Sequence, residues 1–281
     1  GCSLILLGDL LQLKPVMGRY LFEQPLCPDY HMPHMIDPLW EKFRVILLTY
    51  NHRQGEDYIY AEILNRVRTG DQTDEDCAIL QQRVRPMGHE DIPKDATYII
   101  CTNQGVNAIN EMKLDGMEGD CHSFPAVVFR SGTPVNKPKK GKDGSVFNTP
   151  LQMELNLKIG AQVMLTHNVD VLDSLTNGTI GKVVGFEQNL QGNIKSVLVL
   201  FKDEKSGKER RKKNTATLNQ RYPNLPITPI EKIEFRFNTS KNPSSQNDFM
   251  TAIQFPLKLS FACTAHKMQG STVLNPDSLA I

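Results

Sequence analysis

The sequence predicts an α/β protein interrupted by an inserted β unit. Three observations carry this: strand and helix patterns alternate over residues 45–120, short strands separated by turn residues follow to about 256, and the first pattern returns at Leu257. One β unit inserted into an α/β domain explains that order more simply than three independent domains. The predicted division is 1–35 as the end of a first domain, 36–120 with 257–281 as a second, and 121–256 as the insertion.

Taken in order, Leu4-Ile5-Leu6-Leu7, closed by Gly8-Asp9, predicts a strand buried on both faces of a parallel sheet, with a ligand-gathering end. Residues 20–38 predict an irregular connection, and 45–48 a second strand. Ile59, Ile63 and Val67 repeat at four-residue spacing and predict a helix stopped by Gly70; another starts at Asp74 with acids in its first turn. A strand over 98–101 then meets Thr102-Asn103, a helix start, with Val106, Ile109 and 112–114 as the apolar face.

Further on, strands are predicted at 162–165, 179–186, 197–201, 233–237 and 252–255, a small antiparallel barrel or sheet. Asn177-Gly178 reads as a tight hairpin turn. The stretches 202–213 and 239–248, and the basic runs 137–142 and 208–213, read as solvated loops. Residues 257–262 and 278–281 predict closing strands.

Composition is that of a soluble globular chain: 281 residues, 40% apolar, 22% charged. No apolar run approaches the roughly 20 residues that a membrane-spanning helix needs. A net charge of +1 confines any nucleic-acid face to a local patch. The six cysteines, at 2, 27, 77, 101, 121 and 263, are too scattered for a zinc or redox pair, and fit reduced thiols in a nuclear, mitochondrial or cytosolic setting. Beginning at Gly1 and ending within a strand pattern, the sequence reads as a piece of a longer chain.

Three segments carry candidate chemistry. In Gly8 to Val16, Gln12 sits past a predicted strand with Asp9; an amide accepts from water and donates to a phosphate oxygen, as a γ-phosphate sensor must. The alternative is a Gly-Asp turn with Gln12 facing solvent. In Leu48 to Gln54, Arg53 offers a permanent fork for phosphate, or else a surface ion pair with Glu56 or Asp57. In Thr264 to Thr272, Thr264 and His266 offer hydrogen bonds, Lys267 a charge, Gln269 an amide and Gly270 close backbone approach; the alternative is a helix-capping turn. No G-x-x-x-x-G-K-[ST] cradle occurs, and no apolar strand ends in an Asp-Glu pair to hold magnesium.

In this order the segments resemble the petite-integration-frequency family of 5′-to-3′ DNA helicases, relatives of RecD in superfamily 1. The first looks like helicase motif III, the second like motif IV and the third like motif V. Residues 101–103 with Val106 and Asn110, and 157–165 with 177–181, are also similar to family segments. Lys14 and Met268 stand where the family usually has proline and serine.

The resemblance implies RecA-like, P-loop NTPase-type lobes with an inserted small β-barrel. It implies ATP and Mg2+ as cofactors, with metal ligands upstream, and single-stranded DNA or DNA junctions as partners. A monomer is expected, in the nucleus or alternatively the mitochondrion. Gln12 and Arg53 would be catalytic, Asp9, Gln269 and Gly270 would join them at the nucleotide, and Asn103, Thr264, His266 and Lys267 would face DNA. The whole protein would couple ATP hydrolysis to translocation and unwinding in repair, recombination or telomere maintenance. These 281 residues, without motifs I, II and VI, are expected to be inactive alone. The alternative is a truncated, non-catalytic nucleic-acid-binding product, derived for instance from a mobile-element helicase.

Overall fold

Capping chemistry sets the first helices. The computed structural model describes residues 3–14, 18–20, 22–23, 39–49, 57–93, 95–141, 143–223, 225–238, 249–269 and 279–280. Asp57 accepts from the Tyr60 N–H at 3.1 Å and opens α1 (Tyr58–Thr69), which Gly70 closes in the left-handed conformation. Of the predicted apolar face only Ile63 is buried; Ile59 and Val67 are exposed. α2 (Asp74–Gln81) starts at Thr73, whose hydroxyl accepts from Asp76 N–H while the Asp76 carboxylate accepts from Thr73 N–H.

Asp76 also ties the two helices together. Arg66 donates to both its oxygens at 2.7 Å, so the carboxylate sits well below its usual pKa, chiefly because of that guanidinium. Because the folded pKa is depressed, the stabilisation is complete at neutral pH and is lost as pH falls below about 4 toward the folded pKa. Asp76→Asn is expected to unfold at lower urea than the parent at pH 7, with the gap narrowing between about pH 4 and 2. Urea midpoints measured across that range check it; parallel curves would remove Asp76 from the acid response.

The chain divides into two compact units, Gly1–Met87 and Gly88–Ile281. In the first, the predicted strands at 4–7 and 45–48 do not form: these residues carry no strand pairing, with Leu7 and Leu48 both 90% exposed. An apolar run becomes a buried strand only where neighbours cover its faces and edges, and the described residues bring none to either run. Most of the predicted 20–38 connection lies outside the described residues.

In the second unit the predicted strand and helix at 98–114 form as β1 (Thr97–Ile100) and α3 (Asn103–Asp115), with Thr102 as N-cap. The chain then builds antiparallel sheet from β2 (His122–Pro125), β3 (Val127–Arg130), β4 (Thr133–Pro134), β5 (Glu154–Leu157), β6 (Gln162–Leu165), β7 (Ile180–Gln188) and β8 (Ile194–Phe201). After α4 (Lys208–Arg221) come β9 (Ile227–Glu231), β10 (Ile233–Asn238), β11 (Phe249–Gln254) and β12 (Leu257–Leu259). Finally β13 (Ala262–Thr264), α5 (Ala265–Met268) and β14 (Leu279–Ala280) return to the β1 layer, where β13 and β14 flank β1 in parallel.

The antiparallel strands are ordered β12-β6-β7-β8-β9, β10-β11-β3-β4 and β2-β5. Leu155, Leu157, Val163, Leu165, Val197, Val199, Phe255 and Leu257 fill the main core, and Val128, Val146, Leu151, Phe237 and Ala252 a smaller one. Among them runs Gln254, fully buried. Its amide nitrogen donates to Phe124 O at 2.6 Å and its oxygen accepts from Phe255 N–H at 2.9 Å, so this amide stitches the sheets without an orphaned group.

Two loop readings are corrected here. Residues 208–213 open helix α4, because Asp173, distant in sequence, caps it: its carboxylate accepts from the N–H groups of Glu209 at 2.8 Å and Arg210 at 3.0 Å. Arg211 adds bonds to Ser206 O and Thr228 Oγ1. Asn177-Gly178 does not join two strands directly; it ends a longer excursion from β6, with the Gly178 N–H returning to Leu165 O at 2.9 Å. The basic run 137–141 is a loop with one bridge, Lys140 to Val146; residues 239–248 lie outside the described set. Among the described residues no helix is long and apolar enough to cross a membrane.

Candidate nucleic-acid interface

The parallel layer brings two predicted segments together. β1 runs into Thr102 and α3, while β13, in register beside it through Ile100↔Thr264, runs into α5. Asn103 at the start of α3 and Thr264 and Lys267 around α5 thereby line one cleft of about 200 Å3. Thr264 stands at the N-cap position of α5, yet its side chain makes no capping hydrogen bond. Its hydroxyl is thus not consumed as the capping-turn alternative requires.

What holds the cleft is Asn110. This buried amide accepts from Ala262 N–H at 2.9 Å and donates to Ala262 O at 3.2 Å, clamping α3 to β13 two residues before Thr264. Gly105 lets the helix approach the sheet: a Cβ there would stand 2.8 Å from the Ile100 side chain.

Two further cations belong to the cleft, one from a basic run read as a solvated loop and one not singled out from the sequence. Lys258, on β12, and Lys140, in the basic loop, both line it. Burial lowers the Lys258 pKa first of all, and the nearby Lys267 charge lowers it further. The signal for Lys258 was its place between Leu257 and Leu259, which alternation sends to the opposite face of β12. Acids line the cleft too: Asp143 accepts from the Ser145 hydroxyl at 2.6 Å, Glu154 from the Ser123 hydroxyl at 3.1 Å, and Glu111 stands on α3. Burial also raises the pKa of Cys263, so its thiol stays protonated at neutral pH.

His266 and Gln269 are exposed and do not line the cleft; Gln269 N–H closes α5 on Ala265 O at 3.1 Å. Asp9 and Gln12 belong to the first unit, where Arg68 donates to Asp9 at 2.7 Å and Leu11 N–H and the Gln12 amide also turn to that carboxylate. The Asp9 oxygens therefore order the turn and pair with arginine, a donor set that does not fit a metal ligand. Arg53 and Gly270 lie outside the described residues. Of the predicted site residues, the described ones bring Asn103, Thr264 and Lys267 together in one cleft.

Comparisons with known proteins follow the same line. The family model described as "DNA helicase Pif1, 2B domain" matches residues 146–186. Uncharacterized protein 030L of Invertebrate iridescent virus 6 is 28% identical across 97% of this chain and 59% of its own length. The mouse ATP-dependent DNA helicase PIF1 is 32% identical over 68% of this chain and 27% of its own length. The crystal structure of Bacteroides Pif1 bound to ssDNA superposes with a TM-score of 0.53 at 23% identity, covering 82% of this chain and 44% of that one, which shows a shared helicase fold. The chain spans 59% and 27% of the lengths of these two sequence relatives, less than two thirds of either.

Proposed function

Because the chain belongs to the Pif1 helicase family, we propose that its second unit grips single-stranded DNA within a protein that couples ATP hydrolysis to 5′-to-3′ translocation and unwinding. The observation that carries this reading is the cleft uniting Asn103, Thr264 and Lys267 with Lys140 and Lys258. Lys267 and Lys140 supply charge to phosphates, Asn103 and Thr264 supply oriented hydrogen bonds, and neither set selects a base. A sequence-independent grip is what a motor moving along DNA requires.

The remaining assignments belong to the same proposal. Residues 36–120 and 257–281 form a RecA-like domain, 1–35 end another, and 121–256 are an inserted region containing a small barrel. ATP with Mg2+ supplies the free energy of phosphoryl transfer in the whole protein, with the metal held by residues outside this chain. Gln12 and Arg53 contact the terminal phosphate, with Asp9 holding the Gln12 turn and Gln269 and Gly270 nearby; His266 meets DNA beyond the cleft. The protein acts as a monomer on single strands and junctions in the nucleus or mitochondrion, in repair, recombination or telomere maintenance.

The test is binding of fluorescent oligothymidylate and mixed-sequence oligonucleotides to this chain across a salt series. Lys267→Ala is expected to weaken both about equally and to reduce the salt slope by about 1. An unchanged slope would remove Lys267 and its cleft from the DNA path.

A further inference from the structure

A second cavity lies on the smaller antiparallel sheet, and nothing in the family match accounts for it. Its volume is about 320 Å3, and most of its wall lies outside residues 146–186. The floor is apolar: Phe237 and Met250 are paired across β10 and β11, and Met250 is paired in turn with Arg130 on β3, so the three side chains share one face. Phe147 forms a wall, with Lys139 Nζ 4.0 Å above its ring centre, and Phe147 N–H donates to Lys139 O at 2.9 Å. Among the described lining residues three are cationic, Arg130, Lys137 and Lys139, and none is acidic.

The same loop serves both cavities. Lys139 lines this one and its neighbour Lys140 lines the cleft with Asn103, Thr264 and Lys267. We propose that the single strand held in the cleft continues across the 137–141 loop and inserts a base into this cavity, its flanking phosphates resting on Arg130, Lys137 and Lys139. An apolar floor with an aromatic wall suits a nucleobase face, which every base presents. A cationic rim without acids suits the phosphates on either side. The inference deepens the proposed function and rests on its reading of the cleft as a DNA track.

The probe is an oligothymidylate carrying 2-aminopurine, whose fluorescence falls on stacking, together with ultraviolet cross-linking mapped by mass spectrometry. In the parent chain quenching is expected, with cross-links both near residues 264–267 and at Phe147. Phe147→Ala is expected to weaken binding roughly tenfold and to abolish quenching. Phe147→Leu, which keeps an apolar filling, should lose the quenching with the fold intact by circular dichroism. Arg130→Glu should remove the Phe147 cross-link but keep the one near 264–267.

Cross-links confined to 264–267, with quenching unaffected by either Phe147 variant, would overturn the second site and leave the cleft standing. Cross-links at Phe147 that persist in Lys267→Ala while those near 264–267 are missing from the parent would overturn the cleft and the continuous track. Displacement of the oligonucleotide from Phe147 by an acidic phosphopeptide at lower concentration than by DNA would overturn the nucleic-acid assignment.

Discussion

Asn110→Leu is expected to lower the unfolding free energy by about 2–4 kcal/mol, since two buried backbone groups lose their partner and each such loss costs about 1–3 kcal/mol. Leucine is close to asparagine in size, so little of the effect is a cavity; it is the Ala262 N–H and C=O left dry. With β13 released from α3, Thr264 and Lys267 lose their position relative to Asn103, and DNA affinity should fall with stability. Urea unfolding alongside oligonucleotide binding checks both. A variant with parental stability would show that water replaces the amide, and the clamp would not organise the cleft.

Gly181→Ala is the second large expectation, about 2–3 kcal/mol of destabilisation. A Cβ at that position would meet Val199 Cγ1 at 2.5 Å, Leu200 O at 2.8 Å and Phe201 Cδ1 at 2.9 Å, all on the adjacent strand of the main core. One of those atoms is backbone, so side-chain rotation alone does not make room. Gly178→Ala is the matched control. It has open space around it but φ +98°, so its cost is conformational, about 1–2 kcal/mol. Thermal unfolding of both separates packing from backbone strain; if Gly181→Ala loses no more than Gly178→Ala, the close approach of β7 and β8 is not what requires glycine.

What the sequence shows well is local. Gly70, the acids from Asp74 onward and Thr102 announce helix ends through interactions made within the first or last turn, and short β runs between turn residues place β6, β7, β8, β10 and β11. What it hides is non-local. Nothing in Lys208 to Lys213 indicates that Asp173 will cap it, and without that cap a run of like charges reads as loop. Apolar runs at 4–7 and 45–48 satisfy a strand pattern, but burial depends on neighbours that the pattern does not contain.

The site divides the same way. Thr264 to Gln269 is dense enough to single out, and Asn103 follows from its place at a helix start. Their meeting depends on parallel pairing of β1 with β13, which no spacing rule supplies. Lys140 and Lys258 belong to the cleft for the same topological reason, and each looks ordinary in its own segment.

The pairing of β1 with β13 also dictates an order of events during synthesis. Asn110 and its partner Ala262 are 152 positions apart, and closure over such a span is slow because the chain entropy must be lost before the contact stabilises anything. The ribosome therefore releases β1 and α3 long before β13 exists. Until then the Tyr98 and Val106 faces, buried in the finished layer, wait uncovered while the antiparallel sheets fold ahead of them. The first part of the α/β layer to be made is among the last to be completed.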